Sequence, residues 1–432
     1  MIKTAATVWL AFLPLSGLAQ APMTLDDVLR EAHAANARLP PAASESAIAQ
    51  EKEREARAEL WLKLSAEGDF IYAPASGYDP ILTNLGEVRA QLVAQQPVYE
   101  GGARRGAVSK ASAQLAAARA HYRMAEKDVD LEVRNQYAEL LAAESEIRAR
   151  QEGLERLTSY RSLLESRKAS GQGIAADVLR TDVRIATAQA DIGDAEQRRT
   201  ETRLALNDLM GRDPRSPLML AALPEPVAPA TDQEAAWDSA PEVGAADAET
   251  SVAEADLRVA EAERKPHLFV RADTGFWGSD TEHLIPPDLK AKDPDANFGD
   301  RLRRDAGYSI SLNFSWSLWN KGAMQARIAQ ARIGLDEARQ RREVEWRHAR
   351  LEWEQARENR INAYRQIETL SGAIPVTRDS YLEAESRYRG GAATSLEVLD
   401  AYAASVDAAI RLTSAALRYR LAQALELRWG TP

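Results

Sequence analysis

The chain of 432 residues contains no cysteine. This absence excludes disulfide bonds, thiolate metal sites and a lipid-anchored N-terminal cysteine. An excess of positive charge is also missing, because 55 Lys and Arg residues stand against 65 Asp and Glu residues. The net charge of −10 argues against nucleic acid as a partner. After residue 19 the chain has no run of about 20 apolar residues, so we expect no transmembrane helix.

Catalytic and metal-binding motifs are lacking as well. The five histidines lie far apart, and no two of them have the His-x-x-x-His spacing of a helical zinc site. The glycine-rich segments lack the Gly-Lys-Ser/Thr ending that cradles a phosphate, and they fall where helices are expected to break. We therefore expect neither an enzyme nor a protein that holds a cofactor or a metal ion.

The first 19 residues have the pattern of a secretory signal peptide. Lys3 supplies the positive start, the run from Ala5 to Leu18 is mostly apolar, and small residues precede Gln20. Cleavage is expected after Ala19, with a second possible site after Ala21. An exported chain that lacks a transmembrane helix is either soluble or crosses a membrane as β-strands.

Four segments alternate apolar and polar residues with the period of two that is typical of a β-strand. They lie at about 62–72, 87–98, 267–277 and 307–319. The apolar positions of the fourth are Tyr308, Ile310, Leu312, Phe314, Trp316 and Leu318. About ten residues suits a tilted membrane-crossing strand, with apolar side chains towards lipid and polar ones towards a wet lumen. A strand of a soluble sandwich would alternate too, so that alternative stays open.

Aromatic residues gather at the third and fourth strands. They are Phe276, Trp277, Tyr308, Trp316 and Trp319. We interpret them as a girdle at a membrane interface, with ordinary sandwich core as the alternative.

Long segments rich in Ala, Glu, Arg and Leu predict helices between and after the strands. The expected helices run over about 103–170, 176–210, 243–264, 323–389 and 395–429. At about 1.5 Å per residue, a helix of about 65 residues spans roughly 100 Å. Prolines are expected to interrupt the helix near Pro40-Pro41, to end strand pairing at Pro97 and to break or kink the long helix at Pro375. Residues 278–305 are expected to form a long loop.

The helical plan occurs twice. Gly102 and Gly322 each precede a long helix and differ by 220, as do Gly171 and Gly391 at the far ends. This constant offset predicts two repeats, at 20–211 and 236–432, joined by a proline-rich linker over 212–235.

Two short motifs carry a resemblance to a known family. Residues 96–102 (QPVYEGG) resemble the strand-to-helix turn of TolC-like outer-membrane efflux proteins, with Pro97, Gly101 and Gly102 here and Gly322 in the second repeat. Residues 390–400 (GGAATSLEVLD) resemble that family's second helix-hairpin tip. The resemblance implies a mainly α-helical homotrimer in the outer membrane, with one shared 12-stranded barrel and a long helical tunnel in the periplasm. It also implies a periplasmic adaptor and an inner-membrane pump as partners, and a passive exit duct for efflux or type I secretion.

The same resemblance assigns candidate site residues. It puts Glu397 and Asp400 where the family narrows its periplasmic aperture, and Tyr388 and Asp177 where neighbouring helices are tied shut. Ala393 departs from the family pattern, since some members carry a basic tie residue there. A structural role is the alternative, because Thr394-x-x-Glu397 is also a capping box and Asp177 also favours a helix start.

A different class of protein is the alternative to the duct. A periplasmic adaptor or coiled-coil scaffold without a barrel should show one helical hairpin in a larger β-rich body, whereas this sequence predicts two helical repeats and four strands. The sequence does not select a cargo, since drugs, metal ions and exported proteins all fit.

Overall fold

The computed structural model describes residues 21–74, 84–229, 237 and 240–429. The expected signal peptide (1–19) and the segment 75–83, between the first two expected strands, lie outside these residues. The chain divides into two compact units, which are described separately. Of the described residues, unit one combines 21–37, 126–229 and 354–429, and unit two combines 38–74, 84–125, 237 and 240–353.

Helices make up most of the structure, and four strands form one sheet. In chain order the elements are α1 (Leu25–Ala35), α2 (Leu39–Ala58), β1 (Lys63–Ile71), β2 (Glu87–Tyr99), α3 (Ala103–Ala169), α4 (Ala175–Leu209), α5 (Pro241–Ala262), β3 (His267–Ser279), α6 (Pro287–Lys292), α7 (Phe298–Asp305), β4 (Ala306–Ser315), α8 (Ala323–Arg389) and α9 (Ser395–Trp429). Within the described ranges, each helix is either too short or too polar to span a bilayer.

The sheet of unit two is antiparallel throughout, in the order β1-β2-β3-β4. Lys63 pairs with Gln95 at one end of β1, and Ile71 pairs with Glu87 at the other. The sequence predicted that strand pairing would stop at Pro97, and it does not. A bulge leaves Val98 without a partner, and Tyr99 pairs with Leu268. The strand therefore continues past Pro97, although proline has no backbone N–H to donate.

The two long helices have equal lengths. Both α3 and α8 contain 67 residues, and both return helices, α4 and α9, contain 35. The turns into the long helices use backbone that favours glycine, with φ of +64° at Gly101, +98° at Gly102 and +87° at Gly322. A side chain at Gly101 would also collide with the backbone oxygen of Ala262, since its Cβ would lie 2.7 Å away.

Proline did not interrupt the helices where the sequence suggested. Pro40 and Pro41 lie in the first turn of α2, where the N–H that proline lacks would have no helical partner anyway. Pro375 lies inside α8, which continues without a break to Arg389. Tyr381, six residues further on, is buried among residues of α3, α4 and α9, and this packing favours the helical path past the hydrogen bond that the proline cannot donate.

The expected loop over 278–305 contains two short helices. The second of them, α7, begins with a capping box: Asn297 accepts hydrogen bonds from the N–H groups of Gly299 (2.8 Å) and Asp300 (3.3 Å), and the Asp300 carboxylate accepts one from the Asn297 N–H (3.1 Å). Arg301 in this helix is buried and donates to the backbone oxygens of His283, Leu284, Ser279 and Asp280 at 2.7–3.0 Å. The density of charged residues concealed this ordered segment from the sequence argument.

Candidate functional site

The sheet presents an apolar face that nothing in the described chain covers. On β4 the exposed fractions are 84% for Tyr308, 73% for Ile310, 67% for Leu312 and 63% for Phe314. The register continues this face across the sheet, since Leu312 pairs with Val270 and Phe314 pairs with Leu268. An apolar surface of this extent in a folded chain marks a site of contact with lipid or with another protein.

The opposite face of the sheet carries a polar network that crosses all four strands. Glu67 on β1 accepts a hydrogen bond from the Gln91 amide on β2 (3.2 Å) and lies 3.1 Å from the Arg271 guanidinium on β3. The Ser309 hydroxyl on β4 donates to the Asp273 carboxylate on β3 (2.9 Å). Because the two faces differ so sharply, the sheet is suited to a position between an apolar and an aqueous medium.

Three aromatic or apolar residues lie elsewhere than expected. Trp316 and Leu318 are beyond the end of β4, because β3 begins at His267 opposite Ser315 and offers no further partner. The indole N–H of Trp316 instead donates to the Arg264 backbone oxygen at 3.1 Å. Trp277 lies on the polar face, paired with Arg89, whose guanidinium is 5.8 Å from the indole centroid. Trp277 therefore does not share the face of Tyr308 and Phe314.

In unit one, four helices meet in a core near the turns of the two helical hairpins. We call this group the tip core; it consists of Leu157, Tyr160, Leu164, Val178, Tyr381, Tyr388, Val398, Leu399 and Tyr402. The rings of Tyr160 on α3 and Tyr388 on α8 meet edge to face, with centroids 5.6 Å apart and planes at 67°. Tyr381 and Tyr402 make a similar pair at 6.4 Å. Aromatic pairs of this geometry fix the relative position of helices.

The structure brings Tyr388 and Asp177 together from different hairpins. Both are largely buried, with exposed fractions of 7% and 9%. Burial raises the pKa of Tyr388, and the charge of Asp177 raises it further. The carboxylate of Asp177 also lies 3.5 Å from Arg180. No side chain caps α4 at Ile174, so Asp177 in the first turn acts on the helix only through its charge.

Glu397 and Asp400 are exposed near the start of α9, and Glu397 serves a capping box. The Glu397 carboxylate accepts from the Thr394 N–H (3.2 Å) and hydroxyl (3.0 Å), and the Thr394 hydroxyl accepts from the Glu397 N–H (3.3 Å). These bonds from Thr394 lower the pKa of Glu397. Glu397 therefore has the structural role of a helix cap, and its side chain remains exposed to solvent.

Sequence reasoning missed two residues at this tip, Tyr160 and Arg167. Tyr160 is 1% exposed, and burial raises the pKa of its hydroxyl. Arg167 stacks over the ring of Tyr388. No motif around Arg167 points to a contact with Tyr388. Its recurrence as Arg387, 220 residues later, could have drawn attention to it. Among the described residues, no group of three or more His, Asp or Glu side chains could hold a metal ion.

The sequence matches a known family, and the fold matches several solved structures. The family model described as "Outer membrane efflux protein" matches residues 28–212 and 234–428. No curated protein matches the sequence significantly.

Several solved structures share the fold over 94% of this chain. The outer membrane protein VceC from Vibrio cholerae is 20% identical, with a TM-score of 0.79 and 95% of its own chain covered. The outer-membrane channel OprN is 19% identical, with a TM-score of 0.80 and 89% covered. The MtrE outer membrane channel from Neisseria gonorrhoeae, solved in its open state, is 19% identical, with a TM-score of 0.77 and 88% covered.

Proposed function

The chain belongs to the outer membrane efflux protein family, and we propose that three copies of it form a passive exit duct through the outer membrane. The duct would carry substrate from a periplasmic adaptor and an inner-membrane pump to the exterior, in an efflux or type I secretion system. In this proposal the duct carries out no chemistry and needs no cofactor.

The observation that carries the proposal is the two-faced sheet with open edges. Its apolar face is exposed and its other face is polar and charged. In the order β1-β2-β3-β4, the strands β1 and β4 each have a partner on one side only among the described residues. Open edges are not tolerated in lipid, because each unpaired N–H and C=O group there costs several kcal/mol.

Symmetry offers a way to close the barrel. In a ring of three chains, β4 of one copy would pair with β1 of the next, and the four strands of each copy would give twelve in total. The apolar face would then meet lipid through Tyr308, Ile310, Leu312 and Phe314, and the polar network would face a wet lumen. At the ends of the strands, the glycine turns at Gly101, Gly102 and Gly322 would lead into the helical part.

The long helices suit a tunnel in the periplasm. At about 1.5 Å per residue, α3 and α8 each extend roughly 100 Å, which is several times the thickness of a bilayer. We assign one repeat to 20–211 and the other to 236–432, with the linker at 212–235. The family match in two ranges, 28–212 and 234–428, supports this division.

The aperture of the duct is assigned to the tip of the hairpins. Tyr388 and Asp177 would tie the two hairpins of one chain together, and Glu397 and Asp400 would form two stacked rings of three carboxylates each. In the single chain the capping bonds lower the pKa of Glu397. Carboxylates brought together around a threefold axis would act in the opposite direction and would attract multivalent cations.

An adaptor or scaffold without a barrel is not favoured. The family match covers both repeats. A soluble coiled-coil protein is also not expected to leave an apolar sheet face uncovered, whereas Leu312 on this face is 67% exposed.

The proposal is tested by recording from the purified protein in planar bilayers. Channels of small conductance with a cation preference are expected, and trivalent cations such as hexaamminecobalt(III) should block them from the side of the hairpin tips only. Absence of channels, or equal block from both sides, would contradict the proposed duct.

A further inference from the structure

Arg167 on α3 reaches out of its own hairpin to the end of α8. Its guanidinium carbon lies 5.0 Å from the centroid of the Tyr388 ring. The same guanidinium donates a hydrogen bond to the backbone oxygen of Tyr388, and it lies 3.4 Å from that of Arg389. One side chain of the first hairpin thus holds both the ring and the backbone of a residue in the second.

The place of this contact on α8 is physically significant. α8 ends at Arg389, so the oxygens of Tyr388 and Arg389 belong to its last turn. The Gly391 N–H donates to the Tyr388 oxygen at 3.1 Å, and Arg167 adds a second donor there. The negative end of the helix dipole lies here as well, and a cation stabilises it. Arginine meets these demands together, because its planar guanidinium can stack on a ring while its N–H groups donate in its plane.

The repeat supplies an internal comparison. Arg387 occupies the position 220 residues after Arg167, but it donates to the backbone oxygen of Ala392 at 3.2 Å and so bonds within its own hairpin. The two arginines therefore have equivalent positions in the sequence and different positions in the structure. Of these two arginines, only Arg167 connects the hairpins.

Tyr388 is enclosed by the first hairpin on several sides. Tyr160 meets the edge of its ring at 5.6 Å, Arg167 covers the ring at 5.0 Å, and Asp177 lies close enough to shift the pKa of its hydroxyl. A movement of α8 away from α3 would break the contacts with Tyr160 and Arg167 together, so this end of the second hairpin moves only at the cost of all of them.

We propose that Arg167 is a positioning residue of the aperture, which fixes the end of α8 against the first hairpin and must release it before the aperture opens. The inference rests on the proposed duct. It assigns the holding cation to α3 of the first hairpin, since the side chain at Ala393 in the second hairpin has no charge to contribute.

The test compares Arg167→Gln with Arg387→Gln in planar bilayers. Arg167→Gln should raise the mean conductance several-fold over the wild type, because glutamine can neither stack as a cation nor neutralise the end of the helix. Arg387→Gln, the matched control, removes a charge near Glu397 but leaves the contact between the hairpins intact, so it should show no comparable rise. Both variants should migrate as assembled oligomers without heating, which separates opening from misassembly.

Arg167→Lys provides a second variant if Arg167→Gln does not assemble. Lysine keeps the charge but loses the planar fork, so we expect a raised conductance here too. Conductance equal to that of the wild type in the assembled Arg167 variants, or an equal rise in Arg387→Gln, would overturn the inference. Wild-type channels that trivalent cations block would still support the duct in that case, so the two failures are distinguishable.

Discussion

The guanidinium of Arg271 on β3 lies 3.1 Å from the carboxylate of Glu67 on β1, with the whole of β2 between the two strands. The pair can meet because both side chains stand on the polar face and Arg271, which is opposite Gln95, is long enough to reach across β2. Gln91 on β2 donates to Glu67 as well. On the other face, Leu312 and Phe314 have no covering residue in the described chain. The side of the sheet on which a residue lies should therefore decide whether a charge is tolerated.

Leu312→Arg should prevent or weaken membrane assembly. An arginine on the lipid face near the midplane of the bilayer costs about 2–4 kcal/mol. The amount of protein in the outer-membrane fraction measures this effect.

Ser311→Arg and Asn313→Arg are the matched controls for that experiment. Both positions lie on the polar face, where Asn313 donates to the Ser311 hydroxyl at 3.0 Å, so an added guanidinium would meet water. We expect both variants to assemble. Equal damage on the two faces would indicate a dry sandwich in place of a membrane barrel.

The wild-type chain should be recovered from the outer-membrane fraction as a homotrimer that dissociates on heating. Its β1 and β4 edges need partners, and a second and third copy supply them by symmetry. Electrophoresis with and without heating, combined with mass measurement in detergent, determines the state. Recovery as a soluble monomer from the periplasm would contradict the expectation.

Glu397→Gln with Asp400→Asn should relieve block by trivalent cations and leave the trimer intact. Both changes remove a carboxylate charge, while glutamine can still accept the bonds of the Thr394 capping box. Single-channel recording with the cation on the tip side measures the loss of block. A block unchanged from the wild type would mean that Glu397 acts only as a cap.

Asp177→Asn should lower the pKa of Tyr388 towards its ordinary value of 10.0 and loosen the tie between the hairpins. The direction follows from charge: the carboxylate disfavours a neighbouring phenolate, so its removal makes ionisation easier, while the effect of burial stays. A difference spectrum between variant and wild type during alkaline titration detects the shift.

The control for that prediction is Asp182→Asn. Asp182 pairs with Arg161 inside the first hairpin and is not among the groups that act on Tyr388. It should leave the tyrosine titration and the conductance unchanged. A shift as large as that of Asp177→Asn would show that the effect is general and does not come from the tie.

Periodic patterns in the sequence predicted the elements well where local physics decides them. The alternation from Tyr308 to Phe314 and the glycines that begin and end the long helices were sufficient, because a period of two and a positive φ are properties of a few neighbouring residues. Where tertiary contacts compete with local preference, the sequence patterns predicted the elements wrongly. Pro375 disrupts an isolated helix, but α8 runs past it to Arg389, and its last turns pack against other helices through Tyr381 and Tyr388. Trp316 continues the alternation, but β3 has no residue left to pair with it.

The sequence by itself determined the repeat of 220 residues, the four strands with unlike faces and the capping box at Thr394 and Glu397. Each of these features depends on neighbouring residues of one segment or on one constant offset along the chain. Only the tertiary structure decided that Asp177 lies against Tyr388 and that Arg167, but not Arg387, holds the end of α8. The partners in these contacts are more than 200 residues apart in the chain and belong to different hairpins. Their meeting depends on how four helices pack around the tip core, and no local pattern encodes that arrangement.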